Sequence, residues 1–370
     1  MVEKQRTKRV SPRVKLVGLI GIGLFLGLTG ISYARALLAP NSPGWDLRTA
    51  EWVRDHYLGW VLDTAEWAYF SVHKPSAEEL RANQLSPLPR PFARTRPDFP
   101  QPAAPPPLRL VFDQGLAGEG VWKEIGTTVN GTPALLTTFI RPDTKCPDVS
   151  VAVALFAPGM TRFVLVPGTR DPPTGDWRWH GAIPEDQHEN LLAAFNAGFR
   201  LKDARGGFYA EGQVAAALVE GAASLVIDKN GTIDVVAWKG DSALTPDVVS
   251  VRQNLRLIVS GGRIKSKASQ IRCTKGLARS GLGIARDGTI IYVTGPALDV
   301  GLLSEGLQLA GAERAMQLDV HAQWQSFNVY QPTSTQNPKL IATKLTDNMR
   351  LPGTRYLTPD DRDFVAAFVR

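Results

Sequence analysis

The chain has few of the residues that form metal and redox sites. Its 370 residues include two cysteines, five histidines and four methionines. None of the histidines has a ligand-type neighbour at the spacing of a standard zinc motif, so we expect neither a metal ion nor a cofactor. The two cysteines, Cys146 and Cys273, are expected to form one disulfide in an oxidising compartment, although sequence alone does not show that they meet.

Acidic residues are scarce at the N-terminus, and this explains most of the formal net charge of +7. Residues 1–15 contain six basic side chains and one acidic side chain. The rest of the chain is therefore nearly neutral. A nearly neutral body lacks the broad basic surface that phosphate backbones attract, so we expect no nucleic-acid partner.

Charged residues are absent from Leu16 to Ala34. At 1.5 Å per residue, a helix of this length crosses a hydrocarbon core of about 30 Å. Basic residues before an apolar segment keep the N-terminus in the cytoplasm. We therefore predict a basic cytoplasmic tail at 1–15 and a transmembrane signal anchor at 16–36. The protein would be a single-pass protein of the cell membrane, held there by this helix, with its C-terminal domain outside the cytoplasm. Because Ala34-Arg35-Ala36 is typical of a signal-peptide cleavage site, a cleaved signal peptide stays open as an alternative.

Two further segments precede the main body. Residues 43–80 carry aromatic and aliphatic side chains at helical spacing, which predicts a juxtamembrane amphipathic helix or helical hairpin with tryptophans at the lipid interface. A partner-binding helix is the alternative interpretation of this segment. Residues 82–107 are rich in proline, which predicts an extended, semi-rigid linker.

From residue 108 onward, short apolar runs are joined by turn dipeptides. These pairs, which tolerate the positive φ of tight hairpin turns, are Asn130-Gly131, Asn230-Gly231, Gly261-Gly262 and Asp287-Gly288. Helical patterns are fewer, at Glu189–Asn196 and Leu302–Arg314. Residues 108–370 are therefore predicted to form one α+β domain, a hairpin-rich mixed β-sheet with flanking helices.

Polar and glycine residues follow several of these apolar runs. Asn196, Gly198, Phe199 and Lys202 lie in one loop, where glycine lets the backbone approach a ligand. Arg252, Asn254 and Arg279 stand next to later strands, and each arginine could bind a phosphate through two nitrogens. The stretch "MQLDVHAQW" ends an apolar run at Asp319 and continues to His321 and Trp324. Each feature is also explained by a helix cap, a surface ion pair or a polar strand end.

Their order along the chain resembles the phosphodiester glycosidase family. The segments that carry the resemblance are "FNAGF", "SLVIDKNGTI", "RQNLRLIV", "RSGLGIARDGTIIYV" and "AERAMQLD", and it extends from about Val121 to Val369. Members of this family include enzymes that remove N-acetylglucosamine from a phosphate diester, and this chain would be a divergent bacterial-type member. Asp319 stands at the position of the family's strand-end aspartate. Val320, His321 and Ala322 stand where the family has glycines.

The resemblance implies a hydrolase that acts on a glycosyl phosphodiester or another anionic glycan of the cell envelope, in which Asp319 is the key carboxylate. Asn196 would hold a sugar hydroxyl, and His321 would be an added acid–base group, unless it only bonds the backbone. Arg279 and Arg252 would bind the phosphate, and Trp324 would stack on a sugar face. The other substrate-binding residues would be Asn254, Phe199, Gly198 and Lys202. The alternative is a glycan-binding or scaffolding envelope protein that has lost turnover on the same fold.

Overall fold

The computed structural model describes residues 12–38, 44–72, 85–87, 89–240, 243–265, 271, 273, 276–333 and 339–370. Most of the predicted basic tail, residues 1–11, lies outside the described residues, as do residues 73–84, where the predicted juxtamembrane region meets the linker. The chain divides into two compact units, Met1–Leu62 and Asp63–Arg370.

The first unit contains two helices, α1 (Pro12–Leu37) and α2 (Trp45–Asp55), and the start of α3 (Gly59–Val72). The stretch Leu19–Leu37 of α1 is long and apolar enough to cross a membrane, and a signal sequence would meet the same test. Hydrogen bonds join α1 to α2. The indole Nε1 of Trp52 donates to Ser32 Oγ at 3.0 Å, and the hydroxyls of Tyr33 and Thr49 share a hydrogen bond of 2.8 Å.

The second unit is built mainly of strands. Those that the described residues form are β1 (Phe92–Arg94), β2 (Lys123–Val129), β3 (Thr132–Ile140), β4 (Val151–Phe156), β5 (Thr161–Val166), β6 (Leu191–Asn196), β7 (Phe208–Ala210), β8 (Gln213–Ala216), β9 (Ala223–Asp228), β10 (Ile233–Ala237), β11 (Val248–Gln253), β12 (Leu257–Ser260), β13 (Arg263–Ile264), β14 (Leu277–Ile284), β15 (Ile290–Leu298), β16 (Arg314–Val320), β17 (Phe327–Pro332), β18 (Leu340–Lys344) and β19 (Phe364–Val369). Besides the remainder of α3, the helices of its described residues are the single turn α4 (Leu201–Ala204), α5 (Val300–Leu309) and two short 3₁₀ segments, Glu185–Asn190 and Arg355–Leu357.

Within the described residues these strands form three sheets. The largest has the order β1-β2-β3-β4-β15-β14-β16-β12-β13, and the two smaller ones have the orders β10-β9-β11-β7-β8 and β18-β17-β6-β19-β5. Almost all the pairs are antiparallel, and β1 with β2 is a parallel pair. A mixed, hairpin-rich α+β architecture was predicted, and the structure confirms it.

The large sheet is covered on both faces. Along β15, Ile291 and Val293 pack with Leu302 and Leu307 of α5 in one apolar cluster. The intervening Tyr292 packs in a second cluster, with residues of the two smaller sheets. This alternation follows from the two-residue period of a strand, and it places the main core between the large sheet and the smaller ones.

All four predicted turn dipeptides connect consecutive strands, which confirms the hairpin interpretation. The helix predicted at 189–196 is wrong, because residues 191–196 form β6. This strand pairs with both β17 and β19, and all six of its residues are buried. A strand that is covered on both faces does not alternate apolar and polar residues. The hydrophobic pattern of such a short apolar run is therefore the same for a buried strand and a buried helix. The helix predicted at 302–314 is α5, which ends at Leu309.

The proline-rich segment lies along the second unit and contributes a strand to it. Phe92–Arg94 pairs in parallel with Thr127–Val129, and the Ser86 amide donates to the Leu345 carbonyl at 3.0 Å. Further along the chain, Glu119 and Arg141 form a buried ion pair of 2.8 Å. The Glu119 carboxylate also accepts hydrogen bonds from the Leu116 and Arg141 amides.

Cys146 and Cys273 form a disulfide, with Cα atoms 5.5 Å apart and 127 residues apart in sequence. Cys146 is buried in the apolar cluster beneath α5, and Cys273 packs against the same cluster. The bridge expected from the sequence is therefore present.

Candidate functional site

Three predicted segments meet through a buried hydrogen-bond network centred on Asn196. Its Nδ2 donates to Ser280 Oγ at 2.9 Å, and Ser280 Oγ donates to the Asp319 carbonyl at 3.2 Å. Its Oδ1 accepts from the Tyr292 hydroxyl at 3.0 Å and from the Ser326 amide at 3.1 Å. Burial raises the pKa of the Tyr292 phenol, so this group is a neutral donor. The network fixes the end of β6 against β14, β15 and the end of β16.

Asp319 lies at the end of β16, as the sequence predicts, and is only 3% exposed. Its Oδ1 accepts from the Val320 amide at 2.8 Å. Its Oδ2 accepts from Nη2 of Arg362 at 2.8 Å, and the same nitrogen donates to the Gly198 carbonyl at 3.2 Å. Arg362 therefore joins the carboxylate of one sheet to the turn that leaves another, and its guanidinium lies 5.2 Å from the centre of the Trp324 ring.

Arg362 and its neighbours in the segment "TPDDRD", Thr358–Asp363, were not among the residues predicted from the sequence. The four charged residues of this segment are buried, directly before the buried strand β19. Asp360 pairs with Arg355 at 2.5 Å, and Asp363 pairs with Arg252 at 2.5 Å. The sequence contains one indication of these pairs. Four consecutive charged residues directly precede six apolar ones, and if those six form an internal strand, the charged side chains beside it must be buried in ion pairs.

Arg252 lies in the interior, where it is 1% exposed. Its guanidinium donates to Asp363, to the Gln253 carbonyl and to the Phe199 carbonyl. A Cβ placed on Gly198 would approach Arg252 Cζ to 3.1 Å, so the arginine lies directly against this glycine. Burial raises the pKa of the Asp363 carboxyl, and Arg252 opposes that rise.

Other predicted binding residues lie around this centre. Nδ2 of Asn254 donates to the Gln317 carbonyl at 2.9 Å, whereas its buried Oδ1 has no hydrogen-bond partner within the described part of the chain. Arg279 donates to the Leu298 carbonyl and to Gln317 Oε1. Burial lowers the pKa of Arg279, and the carboxylates of Asp299, Glu66 and Asp63 oppose this effect. Phe199 is half-buried, and Lys202 is exposed on α4.

His321 follows Asp319 by two residues, with a positive φ of 73°. Its Nδ1 lies 2.5 Å from Oε2 of Glu66, and its Nε2 lies 3.0 Å from Oδ1 of Asp63. Oε1 of Glu66 accepts hydrogen bonds from the Ala278 amide at 3.0 Å and the Ala322 amide at 3.2 Å. Both acidic residues belong to α3 and to the second unit. This contact was not predictable from local sequence, because Glu66 and His321 lie 255 residues apart.

No protein-family model and no curated protein sequence match the chain. Among solved structures it is similar to the catalytic domain of zebrafish N-acetylglucosamine-1-phosphodiester alpha-N-acetylglucosaminidase, auto-inhibited by its pro-peptide. The identity is 14% and the TM-score 0.42, over 65% of this chain and 85% of that one. A hypothetical protein from Synechocystis is 14% identical, with a TM-score of 0.34, over 67% and 64% of the two chains. A Burkholderia pseudomallei protein described as exported is 12% identical, with a TM-score of 0.33, over 60% and 74%. At these values the similarity is one of distant fold, and it assigns no role to any residue.

Proposed function

We propose that residues 108–370 form a glycosidase that hydrolyses a glycosyl phosphodiester or another anionic glycan of the cell envelope, with Asp319 as its key carboxylate. The observation that carries the proposal is the meeting of Asp319 and Arg362 with the Asn196–Phe199 turn. There the ends of β16 and β6 and the start of β19 come together, since Asn196 and Phe364 are paired in register.

Buried charge supports a functional interpretation of this centre. Asp319, Asp360 and Asp363 each pair with an arginine where apolar side chains of similar volume would stabilise the fold equally well. Ionised groups kept in such surroundings are typical of sites where charge develops during a reaction.

The chemistry of a glycosyl phosphate bond fits one carboxylate among arginines. Cleavage at the anomeric carbon passes through an oxocarbenium-like transition state, which a carboxylate stabilises as nucleophile or as base for water. A phosphate diester leaves as a weak base, so protonation of the leaving group contributes less than stabilisation of its negative charge. In this proposal Asp319 acts at the anomeric carbon of the sugar, and Arg279 and Lys202 bind the phosphate.

The remaining predicted residues take positioning roles in this proposal. Arg252 holds the turn through the Phe199 carbonyl and its contact with Gly198, and Asn196 fixes the turn to Ser280. Trp324 packs against the guanidinium of Arg362, and Asn254 holds the backbone next to Asp319. Export across the membrane and retention by α1 as a single-pass anchor complete the proposal, supported by the basic residues that precede an apolar helix.

A glycan-binding protein without turnover is the second candidate. It is favoured by the way the side chains of Asn196 and Asp319 are already bonded to protein groups, and by the burial of Val320. A binding protein would use the same turn and arginines but would not require the charge of Asp319.

The experiment that separates the two compares wild-type protein with Asp319→Asn, using the full chain in detergent. Substrates are methyl phosphodiesters of glucose 1-phosphate and of N-acetylglucosamine 1-phosphate, together with an acidic envelope-glycan fraction, and release of reducing sugar is measured. We expect Asp319→Asn to lower kcat about 10²- to 10⁴-fold with ligand binding retained. Asp247→Asn is the matched control, since Asp247 is a surface carboxylate paired with Lys229. If the wild-type protein binds these ligands without hydrolysing them, the enzyme proposal is wrong and the glycan-binding proposal is supported.

A further inference from the structure

The carboxylate of Glu66 is held in the way that proteins hold a bound anion. One of its oxygens accepts hydrogen bonds from the backbone N–H groups of Ala278 and Ala322, and the other lies 2.5 Å from the imidazole of His321. Backbone N–H groups that converge on one point form an anion-binding concavity whatever supplies the anion. The two N–H groups and the imidazole are donors of the kind that bind any anionic group.

The concavity is built by adjacent strands. Ala278 lies at the start of β14 and Ala322 just beyond β16, and these strands pair with Arg279 opposite Val320. The His321 amide donates to the Ala278 carbonyl at 2.7 Å, which fixes the two strand ends together. His321 itself adopts a positive φ of 73°, a conformation that costs energy in a residue with a side chain. This conformation occurs at the residue whose imidazole meets the anion.

Charges of both signs surround the concavity: the guanidinium of Arg279, and the carboxylates of Asp63 and Asp299 that interact with it. Arg279 lies close enough to Glu66 and Asp63 for its charge to interact with both carboxylates. Asp63, which faces Nε2 of His321, has a side chain that is 54% exposed, whereas that of Glu66 is only 9% exposed. The buried carboxylate is thus the one that fills the concavity, and the exposed one marks its mouth.

We propose that the Ala278 and Ala322 amides and the His321 imidazole form an oxyanion-binding subsite, which Glu66 occupies as a built-in substitute for a carboxylate or phosphate group of an external ligand. Glu66 and such a ligand exclude each other. The subsite is distinct from the Asp319–Arg362 pair, and its test measures binding of a small anion, so it does not depend on whether the domain hydrolyses a glycan.

The test is rescue by small anions, measured as thermal unfolding of the full chain in detergent. Glu66→Ala empties the subsite, and sodium acetate or sodium phosphate is then titrated at constant ionic strength, balanced with sodium chloride. We expect a saturable rise in Tm for Glu66→Ala, half-complete at a concentration at least about tenfold below any comparable change in the wild type. Acetate alone, phosphate alone or both giving this rise supports the subsite and identifies the anion it prefers.

Matched variants separate specific binding from general salt stabilisation, which affects every folded protein. Glu124→Ala removes an exposed carboxylate on β2 and should respond as the wild type does. Glu66→Gln keeps the subsite filled and should show no saturable rise. In Glu66→Ala/His321→Ala the half-saturating concentration should increase by about tenfold, because a charge-assisted contact is lost. Should Glu66→Ala fail to fold, Glu66→Ser provides the same vacancy. The proposal is overturned if the emptied variant responds no more than Glu124→Ala, or if loss of His321 changes nothing.

Discussion

Asp319 and Arg362 form a buried ion pair, and Arg362 also lies 3.8 Å from Asp171, so removal of either partner of the pair leaves a buried charge with its pairing incomplete. We expect Asp319→Asn to lower the free energy of unfolding by about 3 kcal/mol. The double variant Asp319→Asn/Arg362→Gln should lose about 2 kcal/mol less than the sum of the two single variants, because both partners are then neutral. Urea unfolding of the full chain, followed by tryptophan fluorescence, measures all three.

Two outcomes of that cycle have different meanings. Coupling of the expected sign shows that the pair forms in solution. Because the Asp319→Asn variant is then less stable, any assay of it must be made at a temperature where it is folded. Additive losses, within about 0.5 kcal/mol, would show that Arg362 does not act on Asp319.

The strand-end position of Asp319 was predictable from the sequence, whereas its partner Arg362 was not. Asp319 is visible because an apolar run ends at it. Arg362 stands among three aspartates near the end of the chain, a pattern that usually indicates a solvated surface. Only the pairing of β19 with β5 and β6 shows that these charges are enclosed, and strand pairing between distant segments is not encoded in local pattern.

At the scale of elements, the Glu119–Arg141 pair connects the segment before β2 to the end of β3. Burial tends to raise the pKa of Glu119, but hydrogen bonds from the Arg141 side chain and from the Leu116 and Arg141 amides outweigh it. The folded pKa therefore lies below the ordinary value of 4.5. A carboxyl with a lowered pKa contributes stability that is complete above its unfolded pKa and is lost as pH falls through the folded value.

Glu119→Gln should accordingly lower the free energy of unfolding by about 3 kcal/mol at pH 7. The difference between wild type and variant should shrink as pH falls below 4.5, because the unfolded wild type then takes up a proton before the folded wild type does. Thermal unfolding from pH 3 to pH 7 gives this difference directly. A constant difference across that range would contradict the assignment.

Elements joined by tight turns were predictable, and elements enclosed on both faces were not. Asn230-Gly231 identifies the β9–β10 hairpin, because the turn chemistry and the flanking strands are local. The apolar run at 191–196 contains no such information. Whether it coils or extends depends on β17 and β19, which pair with it from far along the chain. The same dependence hides the parallel strand β1 inside a proline-rich segment.

At the scale of the molecule, the disulfide between Cys146 and Cys273 joins residues 127 positions apart. Closing a loop of this length restricts the unfolded chain, and bridges of this kind typically contribute about 2–4 kcal/mol. The variant Cys146→Ser/Cys273→Ser should have a free energy of unfolding lower than that of the wild type by about this amount. Urea unfolding of both proteins without reductant measures the difference. Two alkylatable thiols in the unfolded, unreduced wild-type protein would contradict the bridge.

The topology that we propose has its own test. A protease added to cells with a permeable outer envelope and an intact inner membrane should digest residues 108–370 and spare residues 1–13, because the apolar helix separates them. A cytoplasmic protein in the same cells is the control for membrane integrity. Protection of the C-terminal domain would contradict the proposed orientation, and N-terminal sequencing of the mature protein separates an anchor from a cleaved signal peptide.

The position of β19 also determines when the centre can exist during synthesis. This strand lies between β6 and β5 in its sheet, and the arginine and aspartates that surround Asp319 directly precede it. Because the ribosome makes a chain from its N-terminal end, the edges of β5 and β6 that pair with β19 stay unpaired until residues 364–369 are made. Until then Asp319 and Arg252 lack their buried counter-charges. A nascent chain therefore lacks the Asp319–Arg362 and Arg252–Asp363 pairs and is prone to aggregate until β19 is made, so a chaperone that shields strand edges should increase its yield.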